Sequence, residues 1–390
     1  MDEVKDTVIG ALKANLKGVT VLTPVVENAW TNGRLHFPVH RVEIARERDR
    51  YSIQLFSLSK LGHFIEVPKE LVDEEHPLLF KPYEILGLFE LGTSQTGYKD
   101  SSDLFKAYCE YGCFEAIFDK VPNEIREGMF GISKEIFEFP LETKLKNISE
   151  KPMHGYMGMI PQLPLYESLC IPDLLNPQSL ETFANIFWPH GNHHFRNLVK
   201  SYSNPLVELD EMLKRMILEN LGLKNHIDEL MNPNYFLFRF THYKGSSIIS
   251  GDENNKTAGL GGHTDGNFLT FISQNQVNGL QINKNGEWID VNISPNSYAV
   301  LAGDSFKAWT NGRLHSPLHR VTIAGESDRL SIQLFSLSKP GHFIETPKEL
   351  VDEEHPSLFK LYEMLGLFEF GTSQTGYRDP CNLLKAYCGV

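Results

Sequence analysis

The chain has 390 residues and a formal net charge of −13, with 50 acidic and 37 basic side chains. Because the lysines and arginines are scattered among acidic residues and form no basic stripe, the composition argues against a nucleic-acid partner. No apolar run approaches the roughly 20 residues that a bilayer requires, and the N-terminal residues mix acids with lysines where a signal peptide would be apolar. We therefore expect a cytoplasmic protein without a membrane partner.

A long repeat relates the two ends of the chain. The segment from Trp30 to Cys109 aligns without gaps with the segment from Trp309 to Cys388, and most of the aligned positions are identical. Because this spacing is far longer than a solenoid repeat, the pattern indicates a segmental duplication. The first copy lacks the sheet partners that precede the second copy. We therefore expect it to dock on the main domain or stay partly disordered in a monomer, with strand exchange as the alternative.

Two helices are predicted between the repeat copies. The apolar spacing predicts a helix from Ile125 to Phe137, which Pro140 ends. A second helix is predicted to begin at Asn204–Pro205 and to end at Gly222, because its apolar residues recur with a period of 3.6. These residues are Leu209, Leu213, Met216, Ile217 and Leu221.

Strands are predicted after the second helix. Short β-rich segments such as NYFLFRFTHY, NFLTFISQ and RLSIQLFSL are separated by glycine and asparagine turns. The sequence NKNG predicts a tight hairpin. This pattern favours a mainly β fold with flanking helices, a double-stranded β-helix or jelly roll. We assign residues 1–109 to the first repeat copy, 110–225 to a helical N-terminal part, and 226–390 to the β domain with its C-terminal helices.

A candidate metal site begins with His263 and Asp265. Side chains two residues apart in an extended segment point the same way, so this pair can form a two-ligand clip. His319, in a later strand, is the candidate third ligand. Two histidines and one carboxylate leave three coordination positions open, which is typical of ferrous oxygenases. A lone His-x-Asp pair is more often not a metal site, so the prediction depends on what surrounds it.

Arg329 and Ser331 form a second pair with the same spacing, ten residues after His319. A guanidinium beside a hydroxyl suits a buried carboxylate ligand. The alternative for Arg329 is a surface ion pair.

These motifs together resemble a known family. HTDGNFLTFISQ, NGRLHSPLHRV and RLSIQLF are similar in order and spacing to the plant 2-oxoglutarate- and iron(II)-dependent dioxygenases, from about residue 110 onward. Within that family the chain resembles the specialised-metabolism branch with the glucosinolate side-chain and auxin-oxidising enzymes. The resemblance implies a double-stranded β-helix with Fe(II) bound by His263, Asp265 and His319. It also implies that Arg329 and Ser331 hold 2-oxoglutarate and that O₂ is the oxidant.

Tyr243 is a further candidate contact to 2-oxoglutarate. The resemblance places it at the tyrosine of the family's Asn-Tyr-Tyr-Pro motif. This sequence departs from the motif, because Thr241 stands in place of the asparagine and Lys244 in place of the proline. The alternative for Tyr243 is therefore an ordinary core aromatic.

The resemblance also implies the reaction and the substrate class. We expect a small plant metabolite to be hydroxylated, or else demethylated or desaturated, while 2-oxoglutarate is decarboxylated to succinate and CO₂. Apolar side chains should line the substrate pocket, although each candidate could equally be plain core. The candidates are Tyr156, Met157, Phe236, Phe238 and Phe335.

Two other functions compete with this one. The first is a catalytically inactive or relic member that binds metal without turnover, because the fused N-terminal copy impairs it. That copy repeats His319, Arg329 and Ser331 as His40, Arg50 and Ser52, but it has no His-x-Asp, so we expect these three residues to bind nothing. The second is a cupin-like metal protein of another chemistry, against which the Arg329 and Ser331 pair argues.

Overall fold

The structure is a computed structural model that describes residues 101–245, 257–373 and 383–390, with the short pieces 64–65, 69, 72 and 83–84. The chain divides into one unit from Met1 to Gln95 and a second from Thr96 to Val390. The second unit contains all the predicted site residues of the dioxygenase-like part. His40, Arg50 and Ser52, and the predicted docking or disorder of the first copy, lie outside the described residues.

The second unit is built on two antiparallel sheets. Their strands are β3 (Cys113–Ile117), β4 (Tyr166–Ile171), β5 (Asn234–Tyr243), β6 (Thr257–His263), β7 (Leu269–Gln274), β8 (Leu280–Lys284), β9 (Glu287–Asp290), β10 (Ser297–Ala302), β11 (His319–Ile323) and β12 (Arg329–Ser338). The larger sheet has six strands in the order β3-β10-β7-β12-β5-β4, and the smaller has four in the order β6-β11-β8-β9. One apolar cluster joins side chains of both sheets, including Ile272 and Leu301 with Leu280 and Val321. The predicted double-stranded β-helix is confirmed.

The helices of the described residues are α1 (Ser101–Glu110), α2 (Asn123–Glu138), α3 (Leu141–Lys144), α4 (Pro177–Phe187), α5 (His193–Asn220), α6 (Ile227–Met231), α7 (Asp304–Trp309), α8 (Met364–Thr372) and α9 (Leu383–Cys388). Of these, α2, α4 and α5 cover one face of the larger sheet. Phe183 of α4 stacks on Phe240 of β5, with ring centroids 5.9 Å apart. Among the residues described, no helix combines the length and the apolar character that a membrane crossing requires.

The start of α5 differs from the prediction. The helix begins at His193, where the side chain of Asn192 accepts a hydrogen bond from the backbone N–H of Phe195. Pro205, which we predicted at the helix start, lies inside the helix. A proline costs an interior helix about 3 kcal/mol. Burial of the apolar stripe on both sides of Pro205, from Phe195 to Ile217, stabilises the longer helix more than this.

The predicted hairpin at NKNG forms as expected. It connects β8 to β9, and both Asn285 and Gly286 have positive φ, at 54° and 89°. These angles are those of the type I′ turn, whose twist matches the twist of paired strands.

The repeated sequence forms the same small ladder twice. In the first unit, β1 (Phe64–Ile65) pairs with β2 (Tyr83–Glu84), and in the second unit β13 (Phe343–Ile344) pairs with β14 (Tyr362–Glu363). The register is the same, since Phe64 faces Glu84 as Phe343 faces Glu363. Local sequence therefore determines this pairing.

The ends of the two copies have different surroundings although both contain the sequence KAYC. In α1, Leu104 and Tyr108 are fully buried within the second unit and Cys109 is exposed. In α9, Cys388 is buried and Tyr387 packs on Phe370 of α8. The last residues of the first copy therefore supply a helix of the second unit. This helix crosses the predicted boundary between residues 109 and 110.

Candidate active site

Three side chains converge beside the smaller sheet. The Nε2 atoms of His263 and His319 each lie 3.7 Å from Oδ1 of Asp265. The two imidazole rings have centroids 4.3 Å apart, and one ligand atom from each residue lies within 4.8 Å of the others. Two imidazole nitrogens and one carboxylate oxygen suit Fe(II) in an open three-ligand site. The donor set therefore fits the iron that the resemblance implies.

Strand pairing explains why residues distant in sequence meet here. His319 of β11 lies directly opposite His263, the last residue of β6. Asp265 follows two residues later, in the turn before β7. The backbone of this turn packs so closely on Gly303 that a Cβ there would lie 2.0 Å from the carbonyl oxygen of Asn267. Glycine is therefore required at this position to hold the turn against the sheet.

A hydrogen bond from behind orients each candidate ligand. Nδ1 of His263 lies 2.9 Å from the backbone carbonyl two residues earlier, and Nδ1 of His319 lies 3.1 Å from the equivalent carbonyl. Because a carbonyl can only accept, each Nδ1 carries the proton and each Nε2 keeps a free lone pair. The hydroxyl of Thr270 donates to Oδ2 of Asp265 at 2.6 Å, which leaves Oδ1 facing the two imidazoles.

The histidine protonation state also favours metal binding. Burial and the neighbouring His319 lower the pKa of His263 to about 4, although Asp265 acts in the opposite direction. The His263 imidazole is therefore neutral at pH 7. Only the neutral ring can bind a metal, so little proton release accompanies binding at this residue.

A buried guanidinium lies on the larger sheet. Arg329 is 1% exposed, and its Nε and Nη2 donate to Oε1 of Gln274 at 3.2 and 2.9 Å. Nη1 lies 3.4 Å from the hydroxyl oxygen of Ser331. Burial lowers the pKa of the guanidinium, and no carboxylate among the described residues forms an ion pair with it. Such a group is a ready partner for a ligand carboxylate.

Tyr243 lies beside Arg329. The two residues are opposite each other in the β5–β12 pair, and the guanidinium carbon lies 5.2 Å from the centre of the tyrosine ring. Tyr243 is 2% exposed, and burial raises the pKa of its hydroxyl. The structure therefore brings together the three residues predicted to hold 2-oxoglutarate. Gln274, which the sequence analysis missed, joins them because β7 pairs with β12.

Comparisons with known proteins agree with this geometry. Residues 228–338 match the family model of the 2OG-Fe(II) oxygenase superfamily, and residues 87–164 match the N-terminal model named for a non-haem dioxygenase in morphine synthesis. The "Probable 2-oxoglutarate-dependent dioxygenase AOP1.2" of Arabidopsis thaliana is 42% identical over 277 residues, which cover 70% of this chain and 85% of that protein. The chain belongs to the 2-oxoglutarate-dependent dioxygenase family. Its cofactor is Fe(II), and its co-substrates are 2-oxoglutarate and O₂.

Two further relatives bear on this dioxygenase. The crystal structure of the rice dioxygenase for auxin oxidation matches it with a TM-score of 0.62 and 27% identity, covering 76% of this chain and 97% of that one. The "Probable inactive 2-oxoglutarate-dependent dioxygenase AOP2" of Arabidopsis thaliana is 30% identical over 371 residues, covering 74% of this chain and 92% of that protein. The predicted likeness to the specialised-metabolism branch is thus confirmed at the level of the family.

One face of the larger sheet of this dioxygenase carries the polar side chains of the site. Thr270, which donates to Asp265, and Gln274, which accepts from Arg329, lie four residues apart on β7 and therefore share this face. We call it the inner face. Strand register assigns to it Phe335, Gln333, Ser331 and Arg329 of β12 and Leu237, Arg239, Thr241 and Tyr243 of β5.

The expectation that Phe236, Phe238 and Tyr156 line the substrate pocket is corrected by the structure. Phe236 and Phe238 lie on the opposite, helix-facing side of β5, where the Phe238 ring meets Tyr202 of α5 with centroids 6.0 Å apart. The Tyr156 hydroxyl donates to Glu167 at 3.2 Å, and Glu167 belongs to the same side. Phe236 and Phe238 therefore pack on the helix-facing side, and the hydroxyl of Tyr156 lies toward that side as well.

Met157 and Phe335 remain candidates for the pocket. Both contact Arg239, a residue that the sequence analysis missed. Nη1 of Arg239 lies 3.3 Å from Sδ of Met157, and its guanidinium carbon lies 5.8 Å from the centre of the Phe335 ring. The sequence contains one indication of this role. Arg239 is a charged residue within the mainly apolar strand NYFLFRFTHY, and it lies four residues before Tyr243, so both side chains share one face of the strand.

Replacing Thr270 with valine should weaken metal binding to this dioxygenase about 10-fold. Valine keeps the shape of threonine but removes the hydroxyl that holds Oδ2 of Asp265, and the loss of a residue behind a metal ligand typically costs 10- to 100-fold in affinity. The measurement is a titration of the purified protein with Co(II) or anaerobic Fe(II). Thr270→Ser, which keeps the hydroxyl, is the control. Equal affinities for the valine and serine variants would contradict the role.

Proposed function

We propose that His263, Asp265 and His319 bind Fe(II) in this dioxygenase, and that Arg329, with Ser331 and Tyr243, holds the distal carboxylate of 2-oxoglutarate. The observation that carries the proposal is the convergence of three ligand atoms within 4.8 Å, each oriented by a hydrogen bond from behind. The reaction would oxidise a small plant metabolite, by hydroxylation or else by demethylation or desaturation.

Each part of the site has a chemical role. When bound, Fe(II) supplies the redox chemistry that couples decarboxylation of 2-oxoglutarate to oxidation of the substrate. Arg329 would neutralise the distal carboxylate with a charge-assisted hydrogen bond, while Gln274 keeps the guanidinium in place. Tyr243 and the apolar residues around it exclude water from this end of the interior. The metal and Arg329 would together hold 2-oxoglutarate in one orientation.

The substrate class is a further part of the proposal. The auxin oxidation named for the rice structure supports a small plant metabolite as the substrate. Pocket side chains on a shared scaffold determine the substrate, so a metabolite screen is needed to name it.

We also propose that the protein is a cytoplasmic monomer and that its first repeat copy arose by segmental duplication.

Succinate release tests the proposal. Purified full-length chain is supplied with Fe(II), 2-oxoglutarate and O₂, alone and with fractions of a plant metabolite extract, and succinate and oxidised products are measured. A second form that begins at Thr96 keeps α1, whose Leu104 and Tyr108 are fully buried, whereas removal of residues 1–109 would delete this helix. Absence of succinate from both forms, under conditions where a known family member turns over, would contradict the proposed activity.

An inactive protein is the second candidate function. The relative named as inactive and the presence of the first repeat copy favour it. It predicts metal and 2-oxoglutarate binding without succinate in the full-length chain. Recovery of turnover in the form that begins at Thr96 would then assign the inhibition to the first copy.

A further inference from the structure

Arg239 is a second buried guanidinium on the inner face of the larger sheet. It is 5% exposed. Nη1 donates to the hydroxyl oxygen of Ser168 at 2.9 Å and lies 3.4 Å from that of Tyr166, while Nη2 donates to the backbone carbonyl of Met153. All these partners are neutral, and no carboxylate among the described residues forms an ion pair with Arg239.

Two buried lysines have a different environment. On the helix-facing side, Lys144 lies 2.7 Å from a carboxylate oxygen of Glu167, and the fully buried Lys214 lies 2.9 Å from one of Asp210. A buried charge without a counter-ion is costly, so proteins usually pair it or use it to bind something. Arg126, 8% exposed, is also without an ion pair in the described residues, but it lies on the helix-facing side, where its guanidinium carbon is 4.7 Å from the ring centre of Tyr298 and Tyr298 meets Tyr202 of α5. Arg239 instead faces the interior that holds the site.

The charges of the site leave Arg239 without an anion even when 2-oxoglutarate is bound. One carboxylate of that dianion would meet Arg329, and the other would lie at the metal. We propose that Arg239 binds the oxyanion headgroup, a carboxylate or a sulfate, of the substrate that is oxidised. This inference rests on the proposed function and narrows its substrate class to anions with an apolar body.

The position of Arg239 suits this role. In the sheet it is opposite Gln333, which is opposite Ile272, and Thr270 lies two residues away along β7. Two strand spacings and two residues separate the Cα atoms of Arg239 and Thr270 by roughly 12 Å. A small molecule can therefore reach from the guanidinium toward the metal ligand Asp265 that Thr270 holds. Met157 and Phe335, which flank Arg239, offer apolar surface for the body of that molecule.

Matched charged and uncharged probes test the proposal on the full chain. The protein is loaded with Co(II) and 2-oxoglutarate, and the dissociation constants of phenylacetate, indole-3-acetate and hexyl sulfate are compared with those of phenylacetamide, indole-3-acetamide and hexanol. We expect at least one charged probe to bind about 10- to 100-fold more tightly than its uncharged partner, and the carboxylate and sulfate arms show which headgroup fits. Arg239→Met should abolish this preference, and Arg239→Lys should keep part of it.

Three outcomes are decisive. If the wild-type protein binds charged and uncharged probes equally, or if Arg239→Met keeps the preference, the proposal is overturned while metal and 2-oxoglutarate binding still support the dioxygenase. If the protein binds neither metal nor 2-oxoglutarate, the proposed function itself fails. Arg126→Met is the matched control, since it removes another buried guanidinium outside the site and should leave the preference unchanged. The wild-type comparison needs no variant to fold.

Discussion

Replacing His319 with alanine should lower the affinity of this dioxygenase for Fe(II) or Co(II) by more than about 100-fold. Loss of a metal ligand costs more than the 10- to 100-fold that is typical for loss of a residue that orients a ligand. Only His263 and Asp265 would remain, and two ligands cannot close the three-ligand site that strand pairing of β6 with β11 creates. The measurement is anaerobic metal titration, together with thermal unfolding. Metal should raise the melting temperature of the wild-type protein and not that of the variant.

The repeat supplies a matched control for this prediction. His40 occupies the same position in the first copy. It ends the sequence NGRLHFPVH, as His319 ends NGRLHSPLH. Because the first copy has no His-x-Asp pair, His40→Ala should leave metal affinity and the metal-induced stabilisation unchanged. Equal losses in the His40 and His319 variants would show that the metal binds elsewhere, or at a site shared by both copies.

The metal ligands could be predicted from sequence because their geometry is local in two of three cases. His263 and Asp265 are two residues apart, so an extended backbone is enough to align them. His319 required knowledge of which strands pair, and the resemblance to the family supplied it. Gln274 had no such guide. Its contact with Arg329 depends on the register between β7 and β12, which alternation alone does not reveal.

The pocket residues were harder to assign because β5 is buried on both faces. In NYFLFRFTHY nearly every side chain is buried, so apolar alternation does not show which face turns inward. The polar residues carried the missing information. Arg239, Thr241 and Tyr243 alternate on the inner face, so Phe236, Phe238 and Phe240, at the other alternation of the strand, must pack on the helices. The same limit explains α5, where tertiary packing determines a helix start that proline signals had placed later.

The two repeat copies show directly what local sequence can and cannot decide. The short pairing of Phe64–Ile65 with Tyr83–Glu84 recurs in the second copy with the same register, so nearby residues are sufficient for it. The shared KAYC sequence buries Tyr108 in α1 but Cys388 in α9. The difference arises from the neighbouring elements, since α1 leads directly into β3 and α9 packs beside α8. Long-range contacts therefore select the buried face of a helix whose sequence permits either.

Replacing Arg329 with methionine should raise the dissociation constant of 2-oxoglutarate about 100-fold, with metal affinity changed by no more than a few-fold. A hydrogen bond to a charged group contributes about 1.5–3 kcal/mol, and 1.4 kcal/mol corresponds to a factor of ten in affinity. Methionine fills much of the same buried volume but provides no charge. The measurement is a titration of the Fe(II)-loaded protein with 2-oxoglutarate under anaerobic conditions, in which the absorbance of the complex is recorded at each addition.

Three comparison variants separate charge from packing in this prediction. Arg50→Met changes the equivalent residue of the first copy and should leave 2-oxoglutarate affinity unchanged. Arg329→Lys keeps a cation but cannot donate to Gln274 and to a ligand carboxylate with the planar fork of arginine, so it should recover only part of the affinity. Ser331→Ala removes a single neutral donor and should cost less than either Arg329 variant. If Arg329→Met bound 2-oxoglutarate as tightly as the wild type, Arg239 would become the candidate for the distal carboxylate, and the double variant would decide between the two guanidinium groups.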